Sequence, residues 1–170
     1  MIVCRLCLLA ALVAAIPLQV SARETAGKPT SLKEASREQV AQALPSAARN
    51  ALLGARDRKQ YVAATIAFAR GAAGQDGVLT EADARGLAQG DPRVAQIRYY
   101  LRTPYLKPYY TPRKLGSRSV PRIPVQRMGQ VAGATWDKFD ENHDGVLSAE
   151  ERVPLQVARG GASGSRPPLQ

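Results

Sequence analysis

Hydrophobic and polar residues alternate along the first half of the chain with the spacing of amphipathic helices. One helix is predicted over residues 32–44, because a serine or threonine can cap its start and Pro45 ends it. A second stretch with this pattern begins at Ser46 and weakens near Gly54. Glycine is unfavourable inside a helix, so we expect the second helix to end there.

A third helix is predicted to begin after Asp57, which is a good N-cap residue, and to run through Arg70. Its apolar face contains the residues at positions i, i+3, i+4 and i+7, namely Tyr61, Ala64, Thr65 and Phe68. Gly71 and Gly74 then break the helix. These elements predict an all-α fold.

A short sequence that follows the third helix recurs near the end of the chain. Residues 76–80 read DGVLT and residues 144–148 read DGVLS, which is a separation of 68 residues (144 − 76). Two further pairs match outside these segments, Phe68 with Trp136 and Asp83 with Glu151. An internal repeat indicates a duplicated supersecondary unit, so we expect the two copies to share one core.

The second copy lies within residues 140–151 (the intact loop), which read DENHDGVLSAEE. Calcium is a hard cation that takes six to eight oxygen ligands, and a twelve-residue loop can supply them. The positions with usable oxygens are 1, 3, 5, 7, 9 and 12, which are occupied by Asp140, Asn142, Asp144, Val146, Ser148 and Glu151. Gly145 at position 6 permits the sharp turn between them.

With this spacing, the intact loop resembles the calcium loop of the EF-hand superfamily, and the chain is similar to exported bacterial EF-hand proteins. The resemblance implies that the bound ion is Ca2+. The implied ligands are side-chain oxygens at positions 1, 3 and 5, a carbonyl oxygen at position 7, a direct or water-mediated oxygen at position 9, and both carboxylate oxygens at position 12. Magnesium is the main competitor, but its strict octahedral geometry suits a bidentate glutamate poorly.

The sequence on both sides of the intact loop fits helices. One face of the predicted entering helix contains Ala132, Thr135, Trp136 and Phe139. Ser148 and Glu151 form the S-x-x-E capping box that opens an exiting helix. Pro154 lies inside the second turn of that helix and is expected to kink or shorten it. Leu147 is expected to point into the core.

The first copy, residues 72–83 (the degenerate loop), lacks two of the ligand positions. Ala72 and Gly74 stand at positions 1 and 3, and the oxygen-bearing residues that remain are Asp76, Thr80 and Asp83. The aspartate at position 12 is one methylene shorter than glutamate. We therefore expect an EF-hand pair that holds one metal ion, with residues 78–79 paired to residues 146–147 in a short antiparallel ribbon.

Two simpler interpretations of the intact loop stay open. An acidic, glycine-containing turn can imitate the motif without binding metal. His143, the one histidine of the chain, could be taken as a transition-metal ligand. Position 4 of the loop points outward, however, which favours a solvated side chain.

The segment between the two copies, residues 91–128 (the connector), is strongly basic. It contains nine Arg or Lys residues and one Asp, which gives a net charge of +8 within a chain whose total is +10. Five of the six tyrosines lie here, and six prolines favour extended or polyproline-like backbone around one short helix over residues 94–101. Arg and Lys interleaved with Tyr can bind polyanions. The alternative is a solvated linker whose tyrosines fold back on the helices.

The N-terminus has the layout of a secretory signal peptide. Arg5 precedes an apolar stretch over residues 6–16, and small residues allow cleavage after Ala22. A retained membrane anchor is the alternative, but the apolar stretch is shorter than the roughly 20 residues that span a bilayer. Both cysteines, Cys4 and Cys7, would leave with the leader, so the exported chain would contain neither a disulfide nor a thiol.

Together these features predict a calcium-binding protein that is periplasmic or secreted, and not an enzyme, because no nucleophile–base pair is visible. The predicted regions are a signal peptide (1–22), an N-terminal helical region (23–56), a degenerate EF-hand (57–90), the connector (91–128), an intact EF-hand (129–158) and a disordered tail (159–170). The alternative function is an envelope interaction protein in which calcium is structural and the connector binds an anionic polymer or protein. No nucleic acid partner is expected, and no membrane span remains once the leader is cleaved.

Overall fold

The computed structural model describes residues 29–115 and 118–161, and this part of the chain folds into a mainly helical structure. The elements follow in the order α1 (Arg37–Ala43), α2 (Ser46–Gly54), α3 (Arg58–Ala72), β1 (Val78–Leu79), α4 (Glu81–Arg85), α5 (Pro92–Arg102), a 3-10 helix (Pro104–Tyr109), β2 (Arg113–Leu115), β3 (Arg118–Val120), β4 (Ile123–Pro124), α6 (Val125–Phe139) and α7 (Ala149–Gly161). The expected signal peptide lies outside the described residues. Within them, no helix is long and apolar enough to cross a bilayer.

The first helix begins later than the hydrophobic pattern indicates. Ser36 and Gln39 form a capping box, in which the Gln39 N–H donates to the Ser36 hydroxyl (3.2 Å) and the Ser36 N–H donates to the Gln39 side chain (2.9 Å). α1 therefore starts at Arg37. Residues 31–35 form a turn instead of the expected first helical turn, so the prediction of a helix from residue 32 is wrong. The end of the helix before Pro45 is confirmed.

The next two helices begin where the pattern predicts them, but α3 continues through Gly71 to Ala72, so the prediction that Gly71 breaks it is wrong. α3 begins after Asp57, whose carboxylate accepts a hydrogen bond from the Gln60 N–H (2.8 Å).

α3 packs along α6 in the most extensive helix–helix contact of the described fold. The two helices are antiparallel, because Arg58 at the start of α3 pairs with Asp137 near the end of α6 (2.7 Å). At the end of this contact next to the intact loop, the buried rings of Tyr61 and Trp136 lie 5.9 Å apart. The intact loop, after α6, and the degenerate loop, after α3, therefore lie at opposite ends of this contact.

The connector is folded rather than extended. Asp91 caps α5, and Pro92 occupies the first turn, where proline is compatible with a helix. α5 and the 3-10 helix bury Ile97, Tyr99, Tyr100, Leu101, Tyr105 and Leu106. The expectation of mostly extended backbone is therefore wrong. Tyrosines fold back on the helices, as the alternative interpretation of the connector expects.

The short strands correct the expected ribbon between the two loops. β1, in the degenerate loop, pairs with β4 in antiparallel register, with Leu79 opposite Ile123. Because β4 directly precedes α6, the packing of α6 on α3 brings β4 beside β1. Residues 146–147 form no strand, so the predicted pairing of residues 78–79 with them is wrong. Leu147 is nevertheless buried, as expected.

The exiting helix, α7, runs through Pro154 and ends at Gly161, so the proline does not shorten it. It packs against α1 and α2, where the guanidinium of Arg49 donates to the Ala158 carbonyl (2.8 Å). These contacts support the part of the helix beyond the proline. The prediction of a disordered tail is wrong for residues 159–161, and the rest of that tail lies outside the described residues.

Candidate metal centre

The intact loop connects α6 to α7 through a turn that depends on two left-handed residues. Gly145 has a φ of 84°, in the region that glycine enters without steric cost, and it supplies the sharp turn expected at position 6. His143 also has a positive φ, 57°, which is uncommon outside glycine. His143 is exposed, as its loop position predicts.

Asp140, at position 1, is buried at the base of the loop, with 2% of its surface exposed. Its Oδ2 accepts hydrogen bonds from the indole Nε1 of Trp136 (3.1 Å) and from the Gly145 N–H (3.0 Å). Its Oδ1 is also buried, and no described residue donates a hydrogen bond to it. A buried carboxylate oxygen without a partner is costly. It is the kind of atom that a cation would satisfy.

Asn142 and Asp144, at positions 3 and 5, lie on the exposed rim of the loop. Asn142 Oδ1 accepts a hydrogen bond from the Asp144 N–H (3.1 Å), and Asn142 Nδ2 donates to Asp144 Oδ2 (2.9 Å). Asp144 Oδ1 accepts from the Val146 N–H (2.8 Å). These local bonds fix the backbone of the loop and hold the two side chains next to each other. Val146 itself is exposed, which suits a residue whose expected contribution is its carbonyl oxygen.

Glu151, at position 12, is buried and reaches back to the start of the loop. Its Oε1 accepts from the Glu141 N–H (2.7 Å) and the Asn142 N–H (3.4 Å), and its Oε2 accepts from the Ser148 N–H (2.8 Å). The Ser148 hydroxyl accepts from the Glu151 N–H (3.3 Å), which completes the predicted capping box. The hydrogen bond from the Ser148 backbone is the main cause that lowers the pKa of Glu151; the Glu141 amide adds to it, and burial opposes it.

The residues of the predicted ligand set are therefore only partly assembled. Asp140 and Glu151 are buried at the base of the loop, and Asn142 and Asp144 stay on the rim. Among the described residues, no three His, Cys, Asp or Glu side chains gather as a preformed metal site. The oxygens of the loop also include an amide, a hydroxyl and a carbonyl, which calcium accepts as ligands. Binding would require Glu151 to exchange backbone N–H groups for the cation.

Two contacts around the loop are not part of the motif. The first is the hydrogen bond from Trp136 to Asp140. These residues are four apart along the chain, at the end of α6, and this spacing is a signal from which the contact could have been predicted. The second is the Arg58 N–H, which donates to the Gly145 carbonyl (3.0 Å) and ties the intact loop to the start of α3. No local pattern in the sequence indicates this second contact.

The degenerate loop has the same local hydrogen bonds as the intact loop. Its glycine at position 6, Gly77, has a φ of 64°. The Val78 N–H donates to Asp76 Oδ1 (3.1 Å), and the Thr80 N–H donates to Asp83 Oδ2 (2.7 Å). The corresponding bonds of the intact loop join positions 7 and 5 and positions 9 and 12 in the same way. The repeat seen in the sequence is thus a repeat of local geometry.

The carboxylates of the degenerate loop face a common space beside Gly74. A Cβ atom added to Gly74 would lie 3.6 Å from Asp83 Oδ1 and 3.7 Å from Asp76 Oδ1. Arg122 of the connector donates to Asp76 Oδ2 (2.9 Å) and brings a positive charge to this loop. The connector therefore supplies a cation to the degenerate loop.

No family model matches the chain, and neither a curated protein nor a solved structure matches it. The function therefore has to be inferred from the geometry of its own residues.

Proposed function

We propose that this protein binds one calcium ion in the intact loop. The observation that carries the proposal is the buried Oδ1 of Asp140, to which no described residue donates a hydrogen bond. The other oxygen of the same carboxylate is held by Trp136 and Gly145, so Oδ1 is fixed in place without a metal ion. A hard divalent cation is a suitable partner for a fixed carboxylate oxygen.

Six oxygen-bearing groups of the loop would supply the coordination. They are the side chains of Asp140, Asn142, Asp144 and Ser148, the carbonyl of Val146 and the carboxylate of Glu151. Three of them are carboxylates, so the site is negatively charged and favours a divalent cation. The oxygens of Glu151 accept backbone N–H groups, and binding replaces those bonds. This exchange makes the free energy of calcium binding less favourable. It supports a dissociation constant in the range of extracellular modules, about 10⁻⁴–10⁻³ M.

The two loops would be two copies of one EF-hand-like unit, of which the intact copy is functional. The support is a shared geometry: both loops have a left-handed glycine at position 6, a hydrogen bond from position 7 to position 5, and a cap between positions 9 and 12. The entering helices α3 and α6 pack on each other in antiparallel orientation, so the two loops lie at opposite ends of this contact and each would act on its own. β1 of the degenerate loop pairs with β4, which lies before α6 and not in the intact loop, so among the described residues the two loops share no strand contact.

The degenerate loop would hold no calcium. Its positions 1 and 3 lack side-chain oxygens, and Asp76 is already paired with Arg122. The Arg122 guanidinium already supplies positive charge there. A calcium ion would therefore have a weaker electrostatic attraction to this loop than to the intact loop, and it would have to displace the guanidinium. One metal ion per chain is the expected stoichiometry.

The ion would stabilise the fold rather than switch it. The signal-peptide pattern of residues 1–22 favours a periplasmic or secreted protein, a setting in which calcium modules bind weakly. One site also offers little cooperativity. α7 is already held against α1 and α2, with Arg49 bound to the Ala158 carbonyl, and this favours stabilisation over a large movement of the exiting helix.

The test is a calorimetric titration of calcium into the purified protein and two matched variants. Glu151→Gln removes a charge and an oxygen at position 12 and should abolish the heat of binding. Glu150→Gln makes the same change at an exposed neighbour outside the expected ligand set and should bind as the parent does. A single site lost only in Glu151→Gln supports the proposal. No heat in the parent up to millimolar calcium, or an equal loss in both variants, contradicts it.

A second candidate function is favoured by the hairpin of β2 and β3 (the basic hairpin). Its strands pair with each other, and the Arg113 and Lys114 residues on β2 are exposed. Adjacent exposed cations on a short hairpin suit an anionic surface. In this function, the basic hairpin binds an anionic envelope polymer or protein, and calcium is structural.

The two functions can be separated by charge removal. The double variant Arg113→Gln with Lys114→Gln should elute from immobilised polyphosphate at a lower salt concentration than the parent. Its calcium binding should stay unchanged. Arg56→Gln with Lys59→Gln removes the same charge from two exposed residues, one just before α3 and one in its first turn, and serves as the control. Equal effects of the two double variants would indicate attraction by net charge alone and would argue against the basic hairpin as a binding element.

A further inference from the structure

A cavity of about 490 Å³ lies between the 3-10 helix, α6 and the turn that precedes α1, next to the intact loop. This volume is within the usual range of small-molecule sites, about 300–1,000 Å³. Its apolar lining comes from three separate elements: Leu32, Tyr105, Pro108, Tyr109 and Ala134. Aromatic rings and a proline are rigid surfaces that lose little conformational entropy when a flat ligand packs on them.

The polar groups of this cavity are mostly cationic or neutral donors. Lys33, Lys138 and His143 line it. The acidic residue in the lining, Asp137, is already engaged, because its two oxygens accept hydrogen bonds from Arg58 (2.7 and 3.0 Å). Lys138 Nζ donates to the Lys33 carbonyl (3.3 Å), which places the ammonium group against the turn before α1. The cavity therefore offers a ligand positive charge beside an apolar surface.

We propose that this cavity binds a small organic anion with an aromatic or branched apolar body. The body packs against Tyr105, Pro108 and Tyr109, and the anionic group pairs with Lys33 and Lys138. The concave shape and the volume fit a small molecule. The residues that carry this site lie outside the predicted metal ligands, so the two sites can be tested separately.

The probe is 8-anilinonaphthalene-1-sulfonate, an aromatic anion whose fluorescence rises in apolar surroundings. It is titrated into the full chain in the presence of a calcium chelator, so the outcome does not depend on metal binding. N-phenyl-1-naphthylamine has the same rings without the sulfonate and reports the apolar part alone. We expect one site that prefers the anionic probe to the neutral one.

Two variants and one matched control decide the outcome. Lys138→Gln should lower the affinity for the anionic probe by roughly 1.5–5-fold, the contribution of one solvent-accessible ion pair. It should leave the affinity for the neutral probe unchanged. Lys107→Gln makes the same change on the 3-10 helix at a residue that lines a different cavity, and it should affect neither probe. Ala134→Phe fills the cavity and should abolish the binding of both probes, with circular dichroism to verify the fold.

Three results would overturn the inference. The first is binding of the anionic probe that survives Ala134→Phe in a folded variant. The second is a loss in Lys138→Gln that is equal for the anionic and the neutral probe, or equal to the loss in Lys107→Gln. The third is several equivalent binding sites, which would indicate diffuse adsorption to apolar surface. If Ala134→Phe does not fold, the comparison of Lys138→Gln with Lys107→Gln decides.

Discussion

The indole Nε1 of Trp136 donates a hydrogen bond of 3.1 Å to Oδ2 of Asp140, one helical turn further along, at the end of α6. Trp136 is fully buried, and its ring lies 5.9 Å from that of Tyr61 on α3. One side chain thus connects the contact between α3 and α6 to the carboxylate at position 1 of the intact loop. Because the acceptor is charged, this bond is stronger than one between neutral groups.

Trp136→Phe removes this donor while keeping an aromatic ring. The free energy of unfolding should fall by about 1.5–3 kcal/mol from the lost bond to a charged group, and further from lost packing. Urea unfolding in a chelator measures the total. A double-mutant cycle with Asp140→Ala isolates the coupling between the two side chains. A coupling energy near zero would contradict a stabilising role for the bond.

Calcium should protect the folded protein against urea, because the oxygens of the intact loop come together only in the folded chain. With a dissociation constant of about 10⁻⁴–10⁻³ M and about 10 mM calcium, the free energy of unfolding should rise by about 1.4–2.7 kcal/mol. Glu151→Gln should show no such gain, and Glu150→Gln should show all of it. An equal gain with magnesium would contradict selectivity for calcium.

Glu151 should make the stability of the calcium-free protein depend on pH. The Ser148 amide, followed by the Glu141 amide, holds the pKa of Glu151 in the folded protein below its usual 4.5. A carboxyl with a lowered folded pKa stabilises the protein above the unfolded value, and this contribution is lost as the pH falls through the folded value. The stability difference between the parent and Glu151→Gln should therefore be constant near neutral pH and shrink below 4.5. Urea unfolding of both proteins in a chelator measures it, and a difference that grows toward acid pH would contradict the assignment.

The parts of the structure that the sequence predicts well are those that local rules decide. Asp57 caps α3 through the amide of Gln60, three residues away. Gly145 turns the intact loop because the left-handed region costs glycine nothing. Ser148 and Glu151 form their capping box within a single turn. Each of these features depends on side chains and amides that are close in sequence, so a motif is enough to find it.

The parts that the sequence does not predict depend on contacts between distant segments. β1 pairs with β4 because α6 packs on α3 and brings residues 123–124 beside β1. The prolines of the connector suggest extended backbone, yet Pro92 begins a helix because it stands in the first turn. Oδ1 of Asp140, to which no described residue donates a hydrogen bond, also has no signature in the sequence, since its burial depends on the elements packed around the loop.

Pro154 should cost stability even though α7 passes through it. It has no N–H for the Glu150 carbonyl, and proline inside a helix is about 3 kcal/mol less favourable than alanine. Pro154→Ala should raise the free energy of unfolding by about 1–3 kcal/mol in urea unfolding. Pro92→Ala, in the first turn of α5, is the control and should give no gain, because a helix needs no N–H there. No gain in Pro154→Ala would show that the backbone of α7 has relaxed around the proline.

The degenerate loop should accept calcium once its ligands are restored with Ala72→Asp, Gly74→Asn and Asp83→Glu. A Cβ atom at Gly74 meets the two nearest carboxylate oxygens at 3.6 and 3.7 Å, which are ordinary contacts, so asparagine fits. Arg122 stays paired with Asp76 (2.9 Å) and competes with the ion. Adding Arg122→Gln should therefore tighten the second site by roughly 1.5–5-fold, the contribution of one accessible ion pair, and leave the first site unchanged. Calorimetry on the triple and quadruple variants counts the sites. A single site in the quadruple variant would mean that the pairing of β1 with β4, and not the loss of ligands, keeps calcium out of this loop.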